Sequence, residues 1–140
     1  MKTKKIKNGT YINDWLETEH YVDGKLHRVD GPAVVVDEDH PQCGQWYFNG
    51  KRHREDGPAW LTDDDTELWY WHGKKHRENG PAIVHPNGWG VEWWLHGVKM
   101  GKNEKGFWRF WDALSDEKRN CVELHMWMAK YAGVTTFDLE

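Results

Sequence analysis

Tyr70-Trp71-His72-Gly73-Lys74-Lys75-His76-Arg77-Glu78-Asn79-Gly80-Pro81-Ala82-Ile83-Val84 decides how this chain is read, because the same sentence is written twice before it. It occurs as Tyr21-Val22-Asp23-Gly24-Lys25-Leu26-His27-Arg28-Val29-Asp30-Gly31-Pro32-Ala33-Val34-Val35 and as Tyr47-Phe48-Asn49-Gly50-Lys51-Arg52-His53-Arg54-Glu55-Asp56-Gly57-Pro58-Ala59-Trp60-Leu61. Gly24, Gly50 and Gly73 are followed at the same interval by Gly97, with separations of 26, 23 and 24 residues. A period of that length marks a repeat array. Asp23-Gly24 and Asn49-Gly50 are two-residue hairpin signals, since such turns need positive φ at both central positions. His72-Gly73 and His96-Gly97 are weaker versions of the same signal.

Large rings fill the strand before each turn. Tyr21, Tyr47, Tyr70 and Trp94 sit three residues before the glycine, and Trp46, Trp69 and Trp93 sit four before it. Neighbours along a strand face opposite sides, so both faces carry aromatics. Ala33-Val34-Val35, Ala59-Trp60-Leu61 and Ala82-Ile83-Val84 follow each Gly-Pro as short, mostly buried strands. Proline at the first residue of a strand costs no ladder bond.

The pattern resembles MORN-type repeats, in the variant carrying Gly-x-x-His-Arg-x-(Asp/Asn)-Gly-Pro-Ala that occurs in bacteriophage and large-virus proteins. The resemblance covers roughly residues 20 to 100. It implies a mainly β fold, a twisted antiparallel sheet of stacked β-hairpin repeats, normally used for binding rather than for one shared activity. The chain departs from the family in its tryptophan content and in everything after residue 106.

The remaining segments follow from position. Residues 1–19 are expected to act as an N-terminal cap, with a frayed lysine-rich start at Lys2, Lys4, Lys5 and Lys7. Tyr11, Ile12 and Trp15 are candidates to cover the first repeat's open edge. Residues 20–105 hold three to four hairpin repeats, with turns at Asp63-Asp64-Asp65 and Pro86-Asn87-Gly88. The fourth copy decays, since Met100 and Gly101 stand where His and Arg would be. Residues 106–140 are expected to form a final strand, Phe107-Trp108-Arg109-Phe110-Trp111, and then one C-terminal α-helix of about 16 residues. Ser115 is its expected N-cap and Gly133 its C-cap, and Cys121, Leu124, His125, Met128, Tyr131 and Ala132, widened by Trp127, form its apolar face. That helix either packs on the sheet or binds a partner. The whole is expected to be one domain of 140 residues.

Composition narrows the function. Eleven tryptophans either cover a thin sheet or form an exposed aromatic binding face. A net charge of −4 and a pI near 6.1 argue against a duplex nucleic-acid partner. No apolar run follows the N-terminal lysines and no stretch is long enough to span a membrane, so neither a signal peptide nor a membrane partner is expected. Cys43 and Cys121 have no CxxC partner, which suits reduced thiols in a cytoplasm.

Three arginines in the repeated His-Arg pairs, Arg28, Arg54 and Arg77, offer planar forks to phosphate or carboxylate. The alternative is structural, with Asp30, Asp56 and Asn79 accepting from the turn backbone and from the arginine. A metal site from equivalent histidines fails on distance. Successive two-stranded units stand roughly 10 Å apart, whereas zinc ligands converge to about 2.0–2.3 Å. Ser115 is the only serine and the glycines are turn glycines, so hydrolase and phosphate-loop chemistry are not expected. Neither a catalytic residue nor a cofactor is assigned.

The expected function is therefore non-enzymatic binding, as a phage accessory protein acting on a host protein in the host cytoplasm. Its candidate binding residues are Trp46, Trp69, Trp71, Trp93, Trp94, Trp108 and Trp127 with Arg28, Arg54 and Arg77. Two alternatives stay open. One is a sponge for a small nucleotide signal, using an arginine for phosphate and a tryptophan for the base. The other is a carbohydrate-binding virion component. A homo-oligomer is compatible with all three.

Overall fold

The structure is a computed structural model that describes residues 8–40, 43–86 and 89–131. The chain is mainly β, antiparallel hairpins followed by a helical C-terminal region. It divides into two compact units, Met1–Lys74 and Lys75–Glu140.

In the first unit, β1 (Gly9–Ile12), β2 (Thr18–Val22), β3 (Lys25–Leu26), β4 (Val34–Val35), β5 (Gly44–Gln45), β6 (Tyr47–Phe48), β7 (Lys51–Arg52), β8 (Trp60–Leu61), β9 (Glu67–Leu68) and β10 (Tyr70–Trp71) follow one another. The strand order of its sheet is β1-β2-β4-β5-β8-β9, with β3 also paired to β2, while β6 and β7 make a separate hairpin. β10 turns into β11 (Lys74–Lys75) as a third hairpin. The expected turn chemistry is present in every copy. Asp23, Asn49, His72 and His96 have φ of 46–51° and the following glycines 77–85°, the two positive values that a type I′ turn requires.

The core of this unit is thin. Ala33, Val34, Val35 and Ala59 are its buried apolar residues. The N-terminal arm covers β2 as expected, with Thr10 opposite His20 and Tyr11 opposite Glu19. Its backbone does the covering together with the Tyr11 ring, which meets Tyr21 edge-on at 5.9 Å, whereas the other two side chains named from sequence point away. Ile12 is exposed and Trp15 is 82% exposed. The reason is local. The Asn13 carboxamide oxygen accepts from Trp15 N and Glu17 N, closing a tight turn that throws Trp15 outward.

In the second unit, β12 (Ile83–Val84), β13 (Val91–Leu95) and β14 (Val98–Lys102) form a meander, with a register shift between Trp93 and Trp94. The helices are α1 (Asn103–Ala113), α2 (Asp116–Arg119) and α3 (Val122–Tyr131). Two expectations are corrected here. Phe107–Trp111 is not a strand but the middle of α1. Gly106, Phe107, Phe110 and Leu114 are buried while Trp108 and Arg109 are exposed, a helical period that places Phe107 and Phe110 on Trp93. Packing on that indole overrides the strand preference of aromatic residues. Likewise, the single long helix is two. Ser115 does cap a helix, its hydroxyl accepting from Lys118 N at 3.4 Å, but that helix is α2 and ends at Asn120. Arg119 then reaches back to the carbonyls of Trp111 and Asp112, satisfying the free end of α1. The expected cap Gly133, the side chains of Tyr131 and Ala132, the turn residues Asn87 and Gly88, and the N-terminal lysines lie outside the described residues.

Trp93, Phe107, Phe110, Leu124 and Met128 are all completely buried, and Val91, Leu95 and Leu114 complete the cluster. Gly106 permits it. A Cβ there would stand 2.3 Å from the Gly101 carbonyl, so only glycine lets α1 lie this close to β14.

Candidate functional site

The repeated motif is built as a clasp, and the three copies agree in detail. The arginine Nε donates to the carboxylate or amide two residues on: Arg28 to Asp30 at 3.2 Å, Arg54 to Asp56 at 3.1 Å, Arg77 to Asn79 at 3.0 Å. Nη1 donates to the proline carbonyl four residues on, at 3.3 Å for Pro32 and 3.2 Å for Pro58 and Pro81. The guanidinium therefore lies flat across the intervening glycine. A Cβ on Gly31, Gly57 or Gly80 would meet the guanidinium carbon at 3.0, 2.6 and 2.9 Å. Ala33, Ala59 and Ala82 then turn inward and are fully buried. Each word of His-Arg-x-(Asp/Asn)-Gly-Pro-Ala thus has a place in one closed loop.

The histidine joins one repeat to the next. Nδ1 of His27 accepts from Asn49 N at 3.0 Å, that of His53 from His72 N at 3.0 Å, and that of His76 from His96 N at 2.9 Å. Each donor is the positive-φ residue of the following turn. Backbone bonds run beside it: Gly50 N to Leu26 O, Gly73 N to Arg52 O, and Gly97 N to Lys75 O. The ring nitrogen that accepts carries no proton, so this geometry assigns the Nε2–H tautomer to all three. Burial lowers the pKa of His53 and His76, and the neighbouring His72 and His96 rings lower it further. His20, where the first repeat has no tryptophan, lies 3.1 Å from Arg28 Nη1, and burial followed by the Arg28 charge lowers its pKa too.

The candidate residues fall in different places. In the first unit Arg28, Trp46 and Arg54 come together along a cleft of about 440 Å³, and Val29, Phe48, His53, Glu55, Asp56 and His72 complete its wall. The Arg54 guanidinium lies 4.0 Å over the half-buried Trp46 ring. Trp69 is half-buried and donates to Glu67. Trp71 is exposed, its ring 4.5 Å from His53. In the second unit Trp93 is core, and Arg77 lies over the Trp127 ring at 5.9 Å. Trp94 is half-buried under Lys75, and Trp108 is exposed on α1, outside the cluster formed by Arg77, Trp93 and Trp127.

Sequence reasoning missed Phe48, His53 and His72. Phe48 and Trp71 occupy the same register, two residues before the turn glycine, and are 38% and 39% exposed. The rings of His27, Phe48, His53 and Trp71 succeed one another at 4.6, 6.0 and 4.5 Å, a continuous row. Register relative to the glycine is the available signal: Phe48 stands one repeat earlier at the position of Trp71, which is among the candidates.

Among the described residues no three His, Cys, Asp or Glu side chains stand together as metal ligands, and no helix is long and apolar enough to cross a membrane. Comparison with protein-family models, with characterised proteins and with solved structures returns no match to this chain.

Proposed function

We propose that this chain is a non-catalytic protein-binding module, acting in the cytoplasm. The observation that carries the reading is the pair of exposed rings Phe48 and Trp71, held beside the cleft on either side of the buried His53 ring. Rings that cost little conformational entropy, held at fixed spacing on a hydrogen-bonded scaffold, are what protein interfaces use as anchors. The non-catalytic half is supported by how the reactive groups are engaged. The arginines close loops, the histidines receive backbone N–H groups, Ser115 caps α2, and the Cys121 thiol donates to Glu123. The proposal that the partner is a host protein, and the chain a phage accessory factor, rests on the MORN-type resemblance of the repeats.

The test is affinity capture from bacterial lysate with the native chain and with the double variant Phe48→Ser/Trp71→Ser. One stoichiometric protein held by the native chain, and lost by a variant of unchanged circular dichroism, supports the reading. Equal capture by both chains contradicts this surface, and no stoichiometric capture contradicts the function.

One observation favours a second reading. The cleft is of a size that suits a small ligand, and its wall holds Arg28, Arg54 and Trp46 together. A nucleotide signal would use those groups. Calorimetry with mono- and cyclic nucleotides tests it, and absence of heat at millimolar ligand removes it.

A further inference from the structure

The third clasp is covered and the second is bare. In the second unit the Trp127 indole of α3 lies on the loop that Arg77 closes. Its Nε1 stands 2.8 Å from where a Gly80 Cβ would be, and the Arg77 guanidinium carbon is 5.9 Å from the ring. Lys118 of α2 pairs with Glu78, whose side chain is 37% exposed. An indole thus lies over the glycine, and a cation meets the carboxylate that follows the arginine.

The first unit repeats the receiving groups. Arg54, Glu55, Asp56 and Gly57 stand where Arg77, Glu78, Asn79 and Gly80 stand in the third copy, and both arginines make the same two hydrogen bonds. The three atoms nearest a Gly57 Cβ all belong to Arg54, whereas Trp127 comes first at Gly80. Glu55 is 75% exposed. The charges around it are otherwise engaged. Arg28 holds Asp30 and Arg54 holds Asp56. Glu55 approaches the His53 ring at 3.9 Å, but burial favours the neutral form of that ring, and the His72 ring stacks on it at 4.2 Å. Among the described residues no lysine or arginine pairs with Glu55. The first copy has Val29 in its place, so the second alone offers the full set. The cleft of about 440 Å³ lies on this clasp, with Arg54, Glu55 and Asp56 in its wall beside the apolar surfaces of Val29, Trp46 and Phe48. A cavity of roughly 150 Å³ holds a benzene ring, so the cleft has room for an indole.

We propose that the clasp from Arg54 to Gly57 binds a helical segment of a partner protein, which presents a tryptophan to the cleft and a lysine or arginine to Glu55, as α3 and α2 do on the third clasp. A second copy's α3 is not free for this, because its Leu124 and Met128 are completely buried in their own unit. Tryptophan is also the side chain most enriched among interface anchors that fill a pocket. The inference names the anchor taken up by the site proposed above and rests on the protein-binding reading.

The probe is a labelled peptide with the sequence of residues 115–131, carrying Cys121→Ser, added to the full chain. In amide NMR spectra the Glu55 and Gly57 signals should move as peptide is added, while that of Gly80 stays. Fluorescence anisotropy should show affinity falling about tenfold with Trp127→Ala in the peptide, and about tenfold with Glu55→Lys in the chain. Circular dichroism of Glu55→Lys should match that of the native chain, since the side chain is mostly exposed. Shifts at Gly80 in place of Gly57 would mean that the peptide only displaces the chain's own α3, and would overturn the site. No binding, or affinity indifferent to Trp127→Ala, would overturn the indole anchor. Affinity indifferent to Glu55→Lys would overturn the cation's place. A partner captured from lysate that is kept by Glu55→Lys but lost on Phe48→Ser/Trp71→Ser would leave the protein-binding reading standing without this inference.

Discussion

The same repeat register becomes surface in one unit and core in the other. Phe48 and Trp71, two residues before their turn glycines, are over a third exposed, whereas Leu95 in that register is 6% exposed. One position is common to Trp46 and Trp93, four residues before the glycine. Trp46 is half-buried beneath the Arg54 guanidinium, while Trp93 is completely buried and meets Phe107 edge-on at 5.2 Å and Phe110 at 4.8 Å. What differs is the covering. In the second unit α1 packs on β13 and α3 packs on α1. In the first unit, cations and short polar loops do that work. A repeat whose rings are stacked against guanidinium and imidazole keeps its face open for binding, and a repeat whose rings are stacked against a helix does not.

The largest effect that should separate the units is Trp93→Ala. Removing a fully buried indole should cost about 3–5 kcal/mol, read as a lower urea midpoint. Next is Gly57→Ala, which drives a methyl into the Arg54 guanidinium and should cost about 1–3 kcal/mol. Adding Arg54→Ala should return part of that loss, because the clash partner is gone; strict additivity in the double-mutant cycle would argue against the clasp. His53→Phe keeps a ring beside Trp71 but removes the acceptor of His72 N. A cost of about 1–3 kcal/mol is expected from the unmet donor, with faster exchange of that amide.

Acidification should act on the same bonds. His53 and His76 bind protons less tightly in the folded chain than in the unfolded one. Their contribution is therefore complete above the ordinary histidine pKa, about 6.5, and is lost as pH falls below it through their lowered folded values. Thermal melts should drop between pH 7.5 and 5, and His53→Phe should flatten that dependence. The smallest stability effect should be Phe48→Ala, within about 0.5–1 kcal/mol for so exposed a side chain, even where it abolishes partner capture.

How far the sequence could be read differs along the same divide. Turn chemistry is local, so Asp23-Gly24 through His96-Gly97 announced their type I′ geometry without help from the rest of the chain. The structural alternative for the His-Arg pairs was half visible. Arg28–Asp30 and its copies are local and were foreseen, but the bond from His53 to the next turn spans 19 residues and needed the hairpins side by side. Phe107–Trp111 reads as a strand because five consecutive large residues carry a strand's propensity, and only the Trp93 surface decides for a helix. The break between α2 and α3 escaped for a similar reason. Arg119 is a helix former in sequence, and its role as a cap for α1 exists only once α1 is folded. Phe48 is not among the tryptophans and arginines expected to bind, since strand alternation gives two faces without saying which one a partner sees.

The central claim is that the repeated histidine is a fixed link between hairpins and not a free ligand group. Nitrogen NMR of the imidazole rings at pH 7.5 tests it most directly. The account predicts that His27, His53 and His76 each show a bare Nδ1 and a protonated Nε2, with the amides of Asn49, His72 and His96 protected from exchange. The Nδ1–H tautomer, or averaging between tautomers with unprotected amides, would contradict it.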